Sequence, residues 1–364
     1  MKEKKYKVLF LTSWYPDRFN PINGVFIQRH AEAIAQLCYV IIVYVKKDSE
    51  LHGKIYDIEY TSEHNRLTVK VYYKGSGFRM PVVPLMLNFI RYIKASYLAL
   101  SLIKNKFKEP CPYIIHVNVT VPAGILALIL RKIKGIPYIL TEHYSVFLSP
   151  SLRQQSIYNR FLTKMIVKHA SIVTVVSMTL RDAMLRQGLK NTYHIIPNVV
   201  DMAPCTGAMK EDSQKKRILH VSLLDDSVKN VSGLIKAMSN IIPIRDDCAL
   251  HIVGDGPDRE MLEDLSKQLN LYKRYVFFHG LKSKREVREF MEAASFFVLN
   301  SHFETFSVAT AESIACGTPV IATKCGGPEE FVTHDCGLLI EKGDQKELEA
   351  AILYMLDNYN TYDK

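Results

Sequence analysis

Short apolar runs of strand length alternate with longer segments of helical period along most of the chain. KVLFLTSW, YVIIVYV, YIIHVNV, PYILTEH, SIVTVVS and HIIPNVV read as strands, and GVFIQRHAEAIAQLC and AGILALILRKIKG between them read as helices. Runs that are apolar without alternation suit strands buried on both faces, so the rhythm predicts βαβ units around a parallel sheet. The pattern lapses over residues 202–216, where Pro204, Gly207 and a polar run predict a linker. It restarts with RILHVSLL, LHIVGDG, YVFFHG, SFFVLNS and PVIATKC. Two α/β domains of similar size are expected, 1–200 and 217–364, with a linker at 201–216. At 364 residues the chain also exceeds what a single core usually supports.

Composition changes this picture little. With 48% hydrophobic and 23% charged residues the chain is ordinary globular material. The seven cysteines are scattered, odd in number and without a C-x-x-C pair. That argues against a disulfide framework or a structural zinc site and for a reducing cytoplasm. The apolar part of the N-terminus, VLFL, is too short for a signal peptide, and the longest apolar run, VPAGILALIL, is about half a membrane span. A soluble, cytoplasmic protein is expected.

Charge adds more. The net +10 hides a first part, 1–200, with 28 Lys+Arg against 11 Asp+Glu, and a remainder with 19 against 26. Between Glu63 and Glu109 there are nine bases and no acid. Within that stretch PLMLNFIRYIKASYLALSLIKNKFK has helical period, with Met86, Ile90, Ile93, Tyr97 and Leu100 on one line and Arg91, Lys94 and Lys104 off it. Two readings stay open: a core stripe with solvated bases, or a face that meets an anionic membrane surface and makes the protein peripheral on the inner leaflet.

The segment SHFETFSVATAESIACGTPVIATKCGG sets Glu304 and Glu312 eight positions apart among small, apolar and hydroxyl residues. SFFVLNS reads as a strand and TAESIAC as a helix body stopped by Gly317 and Pro319. Glu304 then lies on the strand-to-helix loop and Glu312 about two turns into the helix. The amides of Thr305, Phe306 and Ser307 should be unpaired first-turn donors, at the usual place for a phosphate. An elongated ligand with a carboxylate at each end fits this spacing. So does a plain capping glutamate followed by a solvated one.

ETFSVATAESIACGTPVIATKCGGPEEFV followed by CGLLI resembles the E-x7-E segment of the retaining glycosyltransferases of family 4. That resemblance implies the GT-B fold: α/β, two Rossmann-like domains facing each other across a cleft. It extends along most of the chain, through TSWYPDRFNPINGVFIQRHAEAIA, GIPYILTEH, IIPNVVD, LHIVGDGPDREMLE and VFFHGLKSKREV. It implies that Glu304 would bond hydroxyls of the transferred sugar, that the amides of Thr305, Phe306 and Ser307 would receive the donor diphosphate, and that Glu312 would bind the ribose. Lys229 would meet the diphosphate, His143 would face the transferred sugar, and Gly24 would belong to the acceptor-side loop. Taken alone, Lys229 is equally well a surface lysine and His143 a structural strand-end residue.

Three departures from the family pattern stand out. Ser222 and Leu223 occupy the place of a Gly-Arg pair that usually shares the diphosphate charge. Thr305 and Ser307 replace glycines beside the loop phenylalanine. The chain ends at ILYMLDNYNTYDK, where the resemblance implies a further helix crossing back onto the first domain.

Other chemistries lack their motifs. GDGPDR breaks G-x-G-x-x-G at its third glycine, and no P-loop, H-E-x-x-H, G-x-S-x-G or D-x-D occurs. No cofactor and no metal are expected, and no nucleic-acid recognition motif accompanies the basic half. The expected activity is metal-independent, retaining transfer of a hexosyl group from a nucleotide-diphosphate sugar to a hydroxyl of a glycan or lipid-linked acceptor, in surface polysaccharide assembly. An epimerase or hydrolase of nucleotide sugars, or a catalytically silent nucleotide-sugar binding module, are the alternatives.

Overall fold

The structure is a computed structural model that describes residues 6–63, 65–76, 82–107, 114–148, 156–200 and 215–362. Most of the predicted linker, 201–214, and the bases Arg79 and Lys108 lie outside the described residues. The chain divides into two compact units, residues 1–176 with 181–199, and 177–180 with 200–364.

The strands of the first unit are β1 (Lys7–Thr12), β2 (Tyr39–Asp48), β3 (Tyr56–Glu63), β4 (Arg66–Lys74), β5 (Ile114–Asn118), β6 (Tyr138–Glu142), β7 (Ile172–Val175) and β8 (Tyr193–Ile195). They form one sheet in the order β3-β4-β2-β1-β5-β6-β7-β8. All neighbours are parallel except the β3–β4 pair. Its helices are α1 (Val25–Ala35), α2 (Val82–Lys106), α3 (Ala123–Lys134), α4 (Ile157–His169) and, from Arg181 on, α5 (Met178–Arg186). In α1, Ile27, His30 and Ala31 are buried at the i, i+3, i+4 spacing of one helix face, against Phe10, Val40, Ile42 and Tyr44 of the sheet. Each such buried aliphatic or aromatic side chain contributes about 1.5–3 kcal/mol.

The second unit carries β9 (Lys216–Val221), β10 (Cys248–Val253), β11 (Val276–Phe278), β12 (Phe296–Leu299), β13 (Val320–Thr323) and β14 (Gly337–Ile340), all parallel, in the order β11-β10-β9-β12-β13-β14. Helices α6 (Asp226–Lys229), α7 (Val231–Ile241), α8 (Arg259–Gln268), α9 (Lys284–Ala293), α10 (Val308–Ala315) and α11 (Gln345–Asn358) connect them. The unalternating run at β12 is explained by a core on each face. Phe296 and Val298 pack in one cluster with Leu234 and Ile352, Phe297 and Leu299 in another with Met291.

Two features differ from the sequence expectation. The β3–β4 hairpin was not anticipated, because YDIEYTSE is an edge strand whose mostly polar, solvent-facing positions carry no apolar run. It also brings Glu63 to Arg66 at the start of the basic stretch, and Glu32 of α1 pairs with the same arginine at 2.7 Å. In α2 the residues packed inward are Tyr92, Ala95, Ser96, Ala99 and Ile103. Of the line read from the sequence, Met86, Ile90 and Tyr97 are 63%, 57% and 68% exposed and Ile93 and Leu100 are half-buried, so the line is not a core stripe. Ala95, Ser96 and Ala99 let the helix lie close to the sheet between the buried Tyr92 and Ile103, and Met86, Ile90 and Tyr97 are left outside.

Strand order reverses at β1/β5 in the first unit and at β9/β12 in the second. In open parallel sheets the carboxyl ends at such a reversal point are where ligands bind, because the flanking loops diverge there and leave a crevice.

Candidate functional site

In the second unit, the residues beyond β12 are stitched to those beyond β9. Asn300 Nδ2 donates to the Asn230 carbonyl at 3.0 Å, and the His302 amide donates to the Val228 carbonyl at 2.7 Å. Lys229 is thereby carried to Glu304, and the two form an ion pair. Ser301 Oγ also donates to Glu304 Oε1, at 2.9 Å. Both protein donors thus reach Oε1, and Oε2 has no partner among the described residues. Glu304 is 8% exposed.

The loop that follows is held from below. Glu304 exchanges backbone bonds with the β13 side, its amide donating to Cys325 O at 3.1 Å and its carbonyl accepting from Gly327 at 2.9 Å. A Cβ on Gly327 would lie 2.3 Å from Phe306 Cα, so only glycine permits this approach. Ser307 takes the left-handed conformation, φ 68°, as N-cap of α10. An L-residue there costs about 1–2 kcal/mol, partly offset by the 2.7 Å bond between Ser307 Oγ and Thr310 Oγ1. The amides of Thr305, Phe306 and Ser307 have no backbone partner among the described residues, but α10 starts later than the sequence suggests: Ser307 is its N-cap, and Thr305 and Phe306 lie on the loop before the first turn. Glu312 lies half-buried in α10.

Where the Gly-Arg pair is missing, Ser222 Oγ bonds His220 Nε2 at 2.8 Å and Leu223 is 49% exposed. His220, on β9, was not singled out from the sequence. Its Nδ1 meets the Val298 carbonyl at 2.9 Å, and burial pushes its pKa down to about 4. The glycines of LHIVGDG have a packing role: a Cβ on Gly254 or Gly256 would strike the backbone of Ser222 or Leu224, at 1.9 and 2.5 Å.

In the first unit, His143 follows β6, and burial drives its pKa well below the usual value, with His30 and His116 adding to the effect. Neither ring nitrogen has a hydrogen bond, and the same is true of both carboxamide atoms of Asn118 at the end of β5. His143 packs against Phe26 and His30, with ring centroids 4.9 and 5.5 Å away. Asn198 approaches this cluster, and its Oδ1 lies 3.1 Å from His30 Nε2. His30 and Asn198 were also missed, although the placing of His30 on the apolar face of α1 is a signal the sequence carried. Glu142, fully buried, accepts from the amides of Thr120, His143 and Tyr144 and from Thr120 Oγ1, at 2.5–3.0 Å. It fixes the loops after β5 and β6. Gly24 is the N-cap of α1 with φ 65°, and a Cβ there would lie 2.7 Å from the Trp14 carbonyl group. The close fit of this loop against β1 therefore requires glycine.

Two parallel-sheet units with polar groups gathered at each reversal point define a class, the two-domain nucleotide-binding α/β proteins. Comparison narrows this. The pattern of "Glycosyltransferase Family 4" matches residues 24–203, and that of "Glycosyl transferases group 1" matches residues 208–364. The chain belongs to the family 4 glycosyltransferases and has the GT-B fold. It is 29% identical to the uncharacterized glycosyltransferase MJ1178 of Methanocaldococcus jannaschii over 86% of this chain and 81% of that one. It is 25% identical to the putative teichuronic acid biosynthesis glycosyltransferase TuaC of Bacillus subtilis over 95% and 88%. Sucrose-phosphate synthase from Thermosynechococcus elongatus superposes with a TM-score of 0.75 at 22% identity, over 98% of this chain and 91% of that one. Anabaena HepE in complex with UDP-glucose gives 0.70 at 19%, over 98% and 91%.

Proposed function

We propose that this glycosyltransferase moves a hexosyl group, with retention and without a metal ion, from a nucleotide-diphosphate sugar to a hydroxyl of a glycan or lipid-linked acceptor in surface polysaccharide assembly. One observation carries the reading: Glu304 is held through Oε1 by Lys229 and Ser301 while Oε2 stays open, directly before three unpartnered amides. An open carboxylate oxygen accepts from a sugar hydroxyl, and the adjoining amides and ammonium receive the diphosphate. Glu312, further along α10, takes the ribose hydroxyls. His143, kept neutral by burial, can donate to or accept from the transferred sugar. Negative charge that builds on the departing diphosphate meets donors already in place, which is where the rate enhancement arises.

TuaC and the lipopolysaccharide core biosynthesis glycosyltransferase LpsD of Rhizobium meliloti support the polysaccharide assignment through their names. No described helix is long and apolar enough to cross a membrane. The exposed apolar line on α2, with Lys94 and Lys104 beside it, supports peripheral attachment to the cytoplasmic leaflet.

The test is release of nucleoside diphosphate from a panel of nucleotide sugars, with and without acceptor, in buffer and in EDTA. Release that depends on acceptor and survives EDTA is expected. Release without acceptor identifies a hydrolase. Binding with no turnover identifies the silent module, which the absence of the arginine at Leu223 favours. Loss of activity in EDTA, restored by manganese, overturns the metal-free mechanism.

A further inference from the structure

A pocket of about 500 Å³ opens in the first unit at the carboxyl ends of β1, β2 and β4. Trp14 and Phe89 give it aromatic walls, and Pro122 and Ile125 close one side. Its polar lining is rich in donors, and no carboxylate is among the described residues that line it.

Most of these groups are already engaged. Ser13 Oγ donates to the Val119 carbonyl at 2.9 Å and accepts from the Ala123 amide at 3.1 Å. Lys46 and the Tyr44 hydroxyl both bond Asp17 Oδ2, at 2.7 and 2.9 Å. Asn88 Oδ1 accepts from the Ser76 amide at 2.9 Å, which turns its NH₂ group to other use. Lys47 differs. It has no acidic partner among the described residues, and its stem runs over Gly75, where a Cβ would lie 2.4 Å from Lys47 Cε. The glycine leaves room for that stem.

Neutral sugars are commonly gripped by carboxylates, which accept from pairs of hydroxyls. This pocket offers aromatic surface, amide donors and one uncommitted ammonium instead. We propose that it binds an acidic saccharide, a sugar ring bearing a carboxylate or a phosphate, with Lys47 as the counter-charge and the Asn88 NH₂ group as a second donor. This rests on the reading of the first unit as the acceptor side, and makes the acceptor an anionic glycan or a phosphorylated headgroup.

The experiment titrates the full chain, without nucleotide, by ligand-observed NMR against three probes: methyl β-D-glucuronide, glucose 6-phosphate and methyl β-D-glucoside. At least one anionic probe should bind about tenfold tighter than the neutral glycoside, as a charged hydrogen bond supplies. Lys47→Gln should erase that difference and Lys47→Arg should keep it. The tighter of the two anions identifies carboxylate or phosphate as the group recognised. Equal binding of all three probes, or anion binding that Lys47→Gln leaves untouched, overturns the proposal. Calorimetry with nucleotide sugars on the same Lys47→Gln protein keeps the two readings apart. Nucleotide-sugar binding with no preference for the anions sinks the pocket alone, and anion binding with no nucleotide-sugar binding sinks the transfer reading alone.

Discussion

Two glutamates at strand ends, one in each unit, do opposite work. Glu142 closes β6 and has four donors on its carboxylate, three of them backbone amides. Glu304 lies beyond β12 and has two donors, both side chains and both on one oxygen. A buried carboxylate saturated by the backbone is a structural fastener, since every lone pair it can offer is spent on shaping loops. One held by a lysine and a serine on a single oxygen is oriented and keeps the other oxygen to give. The neighbours follow suit. Around Glu142 the remaining polar groups, His143 and Asn118, are buried, neutral and unpartnered. Around Glu304 the loop presents amides and an ammonium. The same βαβ frame thus leaves unpartnered neutral groups beside one carboxylate and an ammonium with open amides beside the other, according to where each carboxylate finds its donors.

The sharpest way to break this comparison is Glu304→Gln, which keeps shape and hydrogen-bonding capacity but removes the charge. Turnover should fall about a hundredfold, which corresponds to roughly 3 kcal/mol of lost transition-state interaction, while donor affinity changes little. Steady-state rates and calorimetry on the same preparation decide it. Wild-type turnover would show that Glu304, like Glu142, is only a fastener.

Lys229→Ala should weaken nucleoside diphosphate binding by about tenfold or more, because a charged donor is lost and a buried carboxylate is left unpaired. Restoring the missing charge sharpens the point. Leu223→Arg places a guanidinium on an exposed position of the loop after β9 and should recover a good part of that affinity in the Lys229→Ala background. If Leu223→Arg changes nothing in calorimetry, that position does not face the diphosphate.

What the sequence let one read divides along the same line. Apolar runs gave most of the parallel strands of both sheets, because burial on two faces leaves an unbroken signature, but not β4, whose run is broken by polar residues, nor the short β14. The strand-to-helix reading set Glu304 on the loop after β12 and Glu312 within α10, because such a loop is governed by local chain geometry, but it started the helix too early, since Ser307 is the N-cap. The Lys229–Glu304 pair was beyond reach, since it depends on Asn300 and His302 pinning a loop some 70 residues earlier in the chain. His116 and Asn198 were hidden for the same reason, and His30, marked by its place on the apolar face of α1, meets them only when α1, β5 and the segment after β8 are brought together. On α2 the period was legible but its direction stayed open, because small residues such as Ala95, Ser96 and Ala99 share the packing face that large ones usually form.

Acid should expose the neutral cluster. His116 is pushed down to about 3 by burial, and His143 and His30 are lowered as well, chiefly by burial. In the unfolded chain these rings protonate near pH 6.5. Between that value and the folded ones the unfolded state binds more protons, so the contribution is complete above about pH 6.5 and fades as pH falls from there toward the folded value of His116, about 3. Calorimetric Tm should drop by several degrees, about 2–4 °C for each kcal/mol, between pH 7.5 and 5. The His116→Gln protein should lose less over the same interval. A Tm independent of pH in this window would mean that the cluster is solvated rather than buried and neutral.

The smallest effect concerns the outer face of α2. Met86, Ile90 and Tyr97 are exposed on it, Lys94 and Lys104 are exposed nearby, and Lys106 meets the Tyr60 hydroxyl. Each base near an anionic leaflet contributes about 1 kcal/mol, and apolar side chains that enter the interface add to it. With so few free bases, attachment should be weak and reversible. Co-sedimentation with vesicles containing anionic lipid should retain the protein at low salt and release it at high salt, where screening shortens the reach of each charge to a few ångströms. Ile90→Glu should lower binding severalfold without altering the inward face of Tyr92, Ala95 and Ala99, so the fold and nucleotide binding are expected to stay intact. Equal binding to neutral and anionic vesicles, or an Ile90→Glu protein that sediments like the wild type, would remove the membrane from the account and leave the exposed line of α2 unexplained by lipid.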